Sequence, residues 1–465
     1  MFKSFWRGHL PSISKAITAG GIMDDYLIEV SKTYGLIFRL WLWNQVIVVV
    51  LDPDFIKDVL VTGNHPKSRR IYSSSTGVFG ARFVNEGLLT QVDNKLWILQ
   101  RMHFDKWFKP HCIRQFENEF NEFANRYTQL LELSADGRTE VQTLDTFNKL
   151  TMHLIYKVAC NVDMGPLDGH NHPFVTNMKT TFSGIAEQIV NPFAAINPLK
   201  WKFRCVVRES VNFIRQCAEK EMLDRKIAKR NGEYAPNDLL ENIMELKEKH
   251  PGIITDDVLL DNFLTFIVAG QETLANALSF TLLLLAKNPE CYNRFQQEVD
   301  ENVGSVSVVT TNELEKLTYL DMVLKETLRL YPVAKTTFRE TAKDYKLGAH
   351  CIPAGTDMMV SFYATSRVEQ NVRDPTQFRP DRFDRNSTEK PCKYVSTPFS
   401  AGPHICIGKT FAEMAMKTII VKIMQNFEFE LAPGQTSEIR DNTTIQPKDG
   451  VKCYFRQRSN NVGIR

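Results

Sequence analysis

Ten residues, Phe399-Ser-Ala-Gly402-Pro-His404-Ile-Cys406-Ile-Gly408, place a thiol between two glycines just ahead of a helical pattern that begins at Lys409. A thiolate at the positive end of such a helix, with backbone N–H groups aimed at its sulfur, is stabilised as an anion and has its electron donation tuned. Gly402 and Gly408 allow the backbone to turn tightly and approach a flat ligand closely. An isolated cysteine is most often a small buried apolar residue. Phe, Gly, Cys and Gly at these spacings, followed by a helix, point instead to a metal-ligating thiolate. A second constellation is Ala269-Gly270-Gln271-Glu272-Thr273, where a carboxyl adjoins a hydroxyl, the pairing that a proton relay needs. Glu326 and Arg329 stand at ion-pair spacing on a helical pattern, and Trp97 and Arg101 share one helix face.

The cysteine loop resembles the haem-binding loop of the cytochrome P450 family, Phe-x-x-Gly-x-Arg-x-Cys-x-Gly, and four motifs follow the family's order over nearly the whole chain. The resemblance implies a mainly α fold with a small β part, a long central helix over the haem, and one domain over residues 1–465 with 1–30 as a lead-in. It implies haem b, with Cys406 as the axial ligand of the iron and pushing it toward O–O cleavage. Phe399, Gly402 and Gly408 would shape the loop, and Ala269 with Gly270 would leave room over the haem. Glu272 and Thr273 would deliver protons to bound O2. Trp97, Arg101, Arg339 and His404 would hold the propionates, because a guanidinium presents a planar fork of donors to a carboxylate. Glu326, Arg329 and Arg382, the last within Phe378-Arg-Pro-Asp381-Arg382-Phe383, would form a buried ion network. Phe79, Ala269, Val333 and Ala334 would line the substrate pocket. One position departs from the pattern. His404, mostly neutral at pH 7, stands where the family has arginine, so the haem is held less firmly or another cation compensates.

Scaffold segments at Val78-Phe-Gly80, Leu260-Asp-Asn-Phe, Thr337-Phe-Arg339 and Phe427-Glu-Phe-Glu-Leu are similar to those of the family's cholesterol 24-hydroxylase branch. This implies hydroxylation of a sterol. The alternatives are another lipid or a xenobiotic as substrate, or a haem-binding protein without catalysis. Electrons from NADPH must come through a separate reductase, since the chain has no Gly-rich dinucleotide-binding segment. Lys409 and Lys417, with Lys106 and Lys109, are candidates for the docking face. Lys335 replaces a large aromatic of that branch, and its ammonium either selects an acidic sterol or extends to solvent.

These residues need a scaffold, and its signals are legible. Phe38-Arg-Leu-Trp-Leu-Trp, Asn44-Gln45 and Val46-Ile-Val-Val-Val read as a β-hairpin; Asp52-Pro53 reads as an N-cap followed by proline at the first helical position. From about Arg114 the pattern is predominantly helical, with late strands at Asp357-Met-Met-Val and Val451-Lys-Cys-Tyr. The segment from Asp257 to Lys287 is apolar enough to span a membrane. Asp261, Asn262, Gln271, Glu272 and Asn276 inside it would be costly in lipid, so a helix through a protein core is expected. Lys+Arg 57 against Asp+Glu 54 gives a charge of +3, which argues against nucleic acid as a partner. Nine scattered cysteines without a Cys-x-x-Cys pair read as reduced thiols. The first residues contain no apolar run of anchor length, while residues 189–204 join an apolar patch to Lys200, Trp201, Lys202 and Arg204, which reads as a membrane-surface contact. The expected location is the cytosolic face of the endoplasmic reticulum. His170-x-His172 reads as a solvated loop, and residues 219–230 as a solvated charged helix face.

Overall fold

The structure is a computed structural model that describes residues 7–43, 45–74, 77–167, 173–190, 194–233, 236–442 and 444–458. His170 and His172 lie outside the described residues, as do Asn191, Pro192 and Phe193 of the apolar patch. The chain forms two compact units, one from residues 1–72 and 321–406, the other from 73–320 and 407–465.

The first unit is built on a four-stranded sheet. The hairpin Ile37–Leu42 and Gln45–Val50 pairs antiparallel from Ile37↔Val50 to Leu42↔Gln45. Asp357–Ser361 then lies parallel to the second strand, and Thr336–Glu340 pairs antiparallel with Asp357–Ser361. The run of β-branched residues at 46–50 is explained by burial of both faces, since successive side chains point to opposite sides. Val48, Val50, Met358 and Val360 enter one core with Ile56, Val59 and Leu60. Ile47, Val49, Leu51 and Met359 enter another with Ile13, Leu27 and Leu40. The helix Pro53–Lys57 starts where Asp52-Pro53 predicts: the Asp52 carboxylate accepts from Asp54 N at 2.9 Å and Phe55 N at 3.2 Å. Such a cap satisfies donors that have no partner inside the helix.

The second unit is organised around the helix Asp256–Lys287, buried from Val258 to Leu285 except at residues 268–270 and 273. Its most apolar window has a mean hydropathy of 1.3 and is 83% buried inside the protein. Its polar side chains are matched by protein partners rather than left to face lipid. Asp261 accepts from Arg82 at 2.6 Å and from Arg215 at 2.7 Å. Asn262 accepts from Leu88 N at 2.9 Å, and Asn276 donates to Thr444 at 3.0 Å. The helix Thr143–Cys160 packs alongside. A small sheet of Phe427–Leu431, Lys452–Gln457 and Asp136–Gln142, with the hairpins Gly77–Val78/Ala81–Arg82 and Ile439–Asp441/Ile445–Pro447, completes this unit.

The charged run at residues 219–230 is not uniformly solvated. Arg225 on the helix Trp201–Arg230 is buried and grips Asp238 through two bonds of 2.9 and 2.6 Å. Paired guanidinium and carboxylate compensate each other's loss of water. No disulfide joins any of the nine cysteines.

Candidate functional site

In the first unit the cysteine loop is shaped by its own backbone. Ser400 N donates to Thr397 O at 2.8 Å, Ile405 N to Gly402 O at 3.0 Å, and Cys406 N to Phe399 O at 2.8 Å. Residues Gly402–His404 form a single 3-10 turn, Phe399 and His404 are half-buried, and the Cys406 residue is exposed. Gly402 has φ +70°, and a Cβ there would lie 2.1 Å from Leu60 O, so only glycine fits. Gly408 differs from expectation. It caps the helix Lys409–Asn426 with φ −82°, a conformation open to any residue.

Glu326, Arg329 and Arg382 come together in the same unit with fully buried side chains. Arg329 donates to both oxygens of Glu326 at 2.7 and 2.9 Å, and Arg382 Nε donates to Glu326 Oε1 at 2.9 Å. The remaining guanidinium N–H groups reach the carbonyls of Ser366, Pro375, Gln377, Arg373 and Asp374. One carboxylate between two arginines is tolerated here because every guanidinium nitrogen has an acceptor.

Arg339, on the strand Thr336–Glu340, is 2% exposed and has no carboxylate partner among the described residues. It donates to neutral oxygens, among them Thr337 Oγ1 at 2.7 Å and Phe338 O at 2.9 Å, while its Nε has no acceptor among the described residues. Burial pushes this guanidinium below its usual pKa. A buried cation left this way fits an anionic partner.

Val333 is buried and Ala334 exposed. Lys335 corrects both expectations for it: the ammonium pairs with the buried Asp24 carboxylate, whose other oxygen accepts from Ser361 Oγ at 2.5 Å. A fully buried carboxylate close by competes better for the ammonium than solvent does.

In the second unit, the central helix exposes a short stretch: Ala269 is exposed, and Val268, Gly270 and Thr273 are half-buried. Thr273 Oγ1 donates to Ala269 O at 2.6 Å. Gly270 does not serve the role expected of it. The space of its missing side chain is taken by Ile155, whose Cδ1 would lie 2.7 Å from a Cβ, and the helix runs through without a break. Glycine here lets two helices pack closely.

Glu272 is adjacent to Thr273 in sequence, but successive helical side chains diverge by about 100°. Its carboxyl is buried and hydrogen-bonded to Thr444, and burial raises its pKa to about 7. It lines a cavity of about 390 Å³ with Gln271, Asn148, Asp145, Lys179 and Arg440. Trp97 is buried on the helix Asn94–Phe104, four residues before Arg101, whose Nε donates to Asp105 at 2.8 Å. Phe79 has φ 48° at the turn of the hairpin between Gly77 and Arg82; its N donates to Gln188 Oε1 at 2.8 Å, and its ring meets Phe203 edge-on at 6.2 Å.

Within the first unit, an exposed thiol in a glycine-shaped loop and a buried guanidinium with no carboxylate partner among the described residues fit an anionic, thiolate-ligated group. The profile of the Cytochrome P450 family matches residues 4–454. The chain belongs to the cytochrome P450 family. Cytochrome P450 3A6 of Oryctolagus cuniculus is 29% identical over 416 residues, which is 88% of this chain and 82% of that protein. Cytochrome P450 3A12 of Canis lupus familiaris is 27% identical over 461 residues, 96% of this chain and 90% of the relative. Probable cytochrome P450 4aa1 of Drosophila melanogaster is 25% identical over 436 residues, 91% and 83% respectively. As a cytochrome P450 the protein is a haem-dependent monooxygenase, and its helical body with small sheets is the fold of that family.

Sequence reasoning missed the pairing of three residues in this cytochrome P450: Thr444, which meets Glu272; Asp24, which holds Lys335; and Asp261, singled out above only as a polar group in an apolar helix, which gathers Arg82 and Arg215. A midhelix Asp in an apolar run was the available signal for the last. The others are tertiary pairings with no local trace.

Proposed function

We propose that this protein inserts one oxygen atom from O2 into an apolar substrate, with a sterol as the substrate class and residues 1–465 acting as one catalytic domain. The observation that carries the catalytic reading is the Cys406 loop, with its thiol exposed and its turn demanding glycine at 402. When bound, haem would supply the one-electron and dioxygen chemistry, and Cys406 is the residue that would hold its iron. Phe399 and Gly402 shape the cysteine loop, and Gly408 begins the following helix. Arg339, Trp97, Arg101 and His404 hold the propionates. The Glu326–Arg329–Arg382 network stiffens the unit that carries Cys406.

Proton delivery falls to two neighbouring side chains. Glu272, with a pKa near about 7, exchanges a proton with the polar cavity that it lines. Thr273 Oγ1 donates to Ala269 O, and rotation about its Cβ–Oγ bond would redirect that hydrogen to a reacting group beside Ala269. Ala269, Phe79, Val333 and Ala334 contact the substrate. A sterol reading rests on the scaffold similarities above; a different lipid or a xenobiotic is equally compatible with the family.

Electrons from NADPH arrive through a reductase that docks on Lys409, Lys417, Lys106 and Lys109, of which Lys106 and Lys109 are exposed. The segment beside the helix Trp201–Arg230 meets a membrane surface: Ile196 is 73%, Leu199 93% and Trp201 59% exposed, beside Lys200 and Lys202. Apolar side chains flanked by cations suit the headgroup boundary of an anionic bilayer, consistent with the endoplasmic reticulum's cytosolic face.

The test is the difference spectrum of the reduced, carbon-monoxide-bound protein, followed by titration with neutral sterols. A thiolate-type Soret band lost in Cys406→Ser, and a spin-state shift with one sterol, are the expected results. A folded, haem-loaded protein without the band would overturn the proposal; a shift only with non-sterol compounds would move the substrate class.

A further inference from the structure

Arg339 is one member of a larger basic cluster, assembled entirely within the first unit. The segment at residues 65–72 lies along the end of the strand Thr336–Glu340. Lys67 forms an antiparallel bridge to Arg339, and Glu340 N donates to Pro66 O at 2.9 Å. Arg69 N donates to the Glu340 carboxylate at 3.0 Å. This alignment buries Lys67 beside Arg339, with its ammonium 5.6 Å from the centre of the Tyr72 ring. The Tyr72 hydroxyl lies 3.1 Å from Thr337 Oγ1 and also hydrogen-bonds the Arg339 guanidinium.

Two cationic residues buried at paired positions have each given up most of their hydration. Among the described residues Arg339 receives no compensation from a carboxylate and its Nε is an orphaned donor, in a residue that is 2% exposed. Acidic groups nearby are already committed. Asp357 pairs with Arg70, Asp58 accepts from the Tyr345 hydroxyl at 2.8 Å, and Glu340 accepts from Arg69 N. His65, also buried, adds no relief: burial and the nearby Arg339 charge both favour its neutral form. The chemistry that suits this cluster is a carboxylate, which takes the planar fork of Arg339 and a second cation together.

We infer that Lys67 and Tyr72 join Arg339 in binding the haem carboxylates, supplying the charge and the donor that His404 does not. This rests on the haem–thiolate reading above. It accounts for how a chain with histidine in place of the usual arginine keeps its cofactor. Lys67 provides the second positive charge; Tyr72 provides a hydroxyl donor and holds the guanidinium in position.

The experiment follows release of the cofactor to excess apomyoglobin from the full-length protein, loaded with haem or with iron protoporphyrin dimethyl ester, whose carboxylates are blocked. Wild type should release the ester at least tenfold faster than haem. Lys67→Met and Tyr72→Phe should each accelerate haem release about tenfold and change ester release less than twofold, and Lys67→Arg should restore most of the retention. Equal acceleration with both porphyrins would mean a packing role and would overturn the inference. So would unchanged haem release in both variants, or a wild type that holds both porphyrins equally. Failure of the haem–thiolate reading looks different: wild type then lacks the thiolate-type band before any variant is made.

Discussion

Glu272 and Thr273 show how far two adjacent residues can be separated by a helix. The hydroxyl stays on the exposed stretch beside Ala269, while the carboxyl enters a polar cavity and meets Thr444. The carboxyl's environment has a thermodynamic consequence. Its pKa rises from 4.5 to about 7 on folding, so in that window the folded chain holds a proton that the unfolded chain has released. Stability conferred at this site therefore falls as pH rises through the window, by no more than about 1.4 kcal/mol per unit. Glu272→Gln cannot titrate, so its stability relative to wild type should grow between pH 5 and 7 and level off above. Urea unfolding at pH 5, 6, 7 and 8 reads this directly, and a pH-independent difference would remove Glu272 as a buried acid. In turnover the same variant should consume NADPH with less product formed per O2. Gly402 makes a simpler case. Gly402→Ala combines φ +70° with a 2.1 Å approach to Leu60 O, and should cost more than about 2 kcal/mol. A wild-type melting temperature with an intact thiolate band would contradict that.

Among elements, the helix Thr318–Leu330 carries Glu326 and Arg329, the centre of the first unit's buried ion network. Among the described residues, Glu326 is the one carboxylate that balances Arg329 and Arg382, both almost fully buried. Glu326→Gln should thus cost about 3–5 kcal/mol, since it strands two desolvated guanidinium groups. Thermal unfolding of the haem-loaded variant tests this; a loss under 1 kcal/mol would mean that the carbonyl acceptors suffice. Asp24 ties the helix Met23–Tyr34 to the residue after Val333 and Ala334 through Lys335, and to the strand Asp357–Ser361 through Ser361. Asp24→Asn should destabilise by about 3 kcal/mol, and Lys335→Met in that background should recover part of the loss. Additive losses in the double-mutant cycle would deny the coupling.

For the molecule as a whole, a charge of only +3 spread over 465 residues leaves recognition to local patches. The patch around Leu199 and Trp201 is the clearest, because large apolar side chains stand in solvent next to Lys200 and Lys202. Burial of each apolar side chain in a membrane boundary is worth about 1.5–3 kcal/mol. Leu199→Ser together with Trp201→Ser should weaken flotation with phosphatidylserine-containing vesicles at least tenfold, without altering the thiolate band. Equal flotation of variant and wild type would place membrane contact elsewhere. The apolar helix Asp256–Lys287 needs no membrane to satisfy it, since its polar groups find Arg82, Arg215, Asn148 and Thr444 within its own unit.

Short-range chemistry was readable from the residues alone. The Phe399-to-Gly408 spacing, the Asp52-Pro53 helix start, the hairpin at residues 37–50 and the buried character of the central helix all depend on neighbours within a few turns or a single loop. The family followed from motif order. Tertiary structure decided everything that depends on which distant atom arrives beside a given side chain. Lys335 meets Asp24 across more than three hundred residues, Lys67 and Tyr72 come alongside Arg339, Ile155 fills the space at Gly270, and Thr444 reaches Glu272. A side chain's charge state and partners are set by local dielectric and contact, which decay over a few ångströms in space, whereas periodicity and capping are set along the chain.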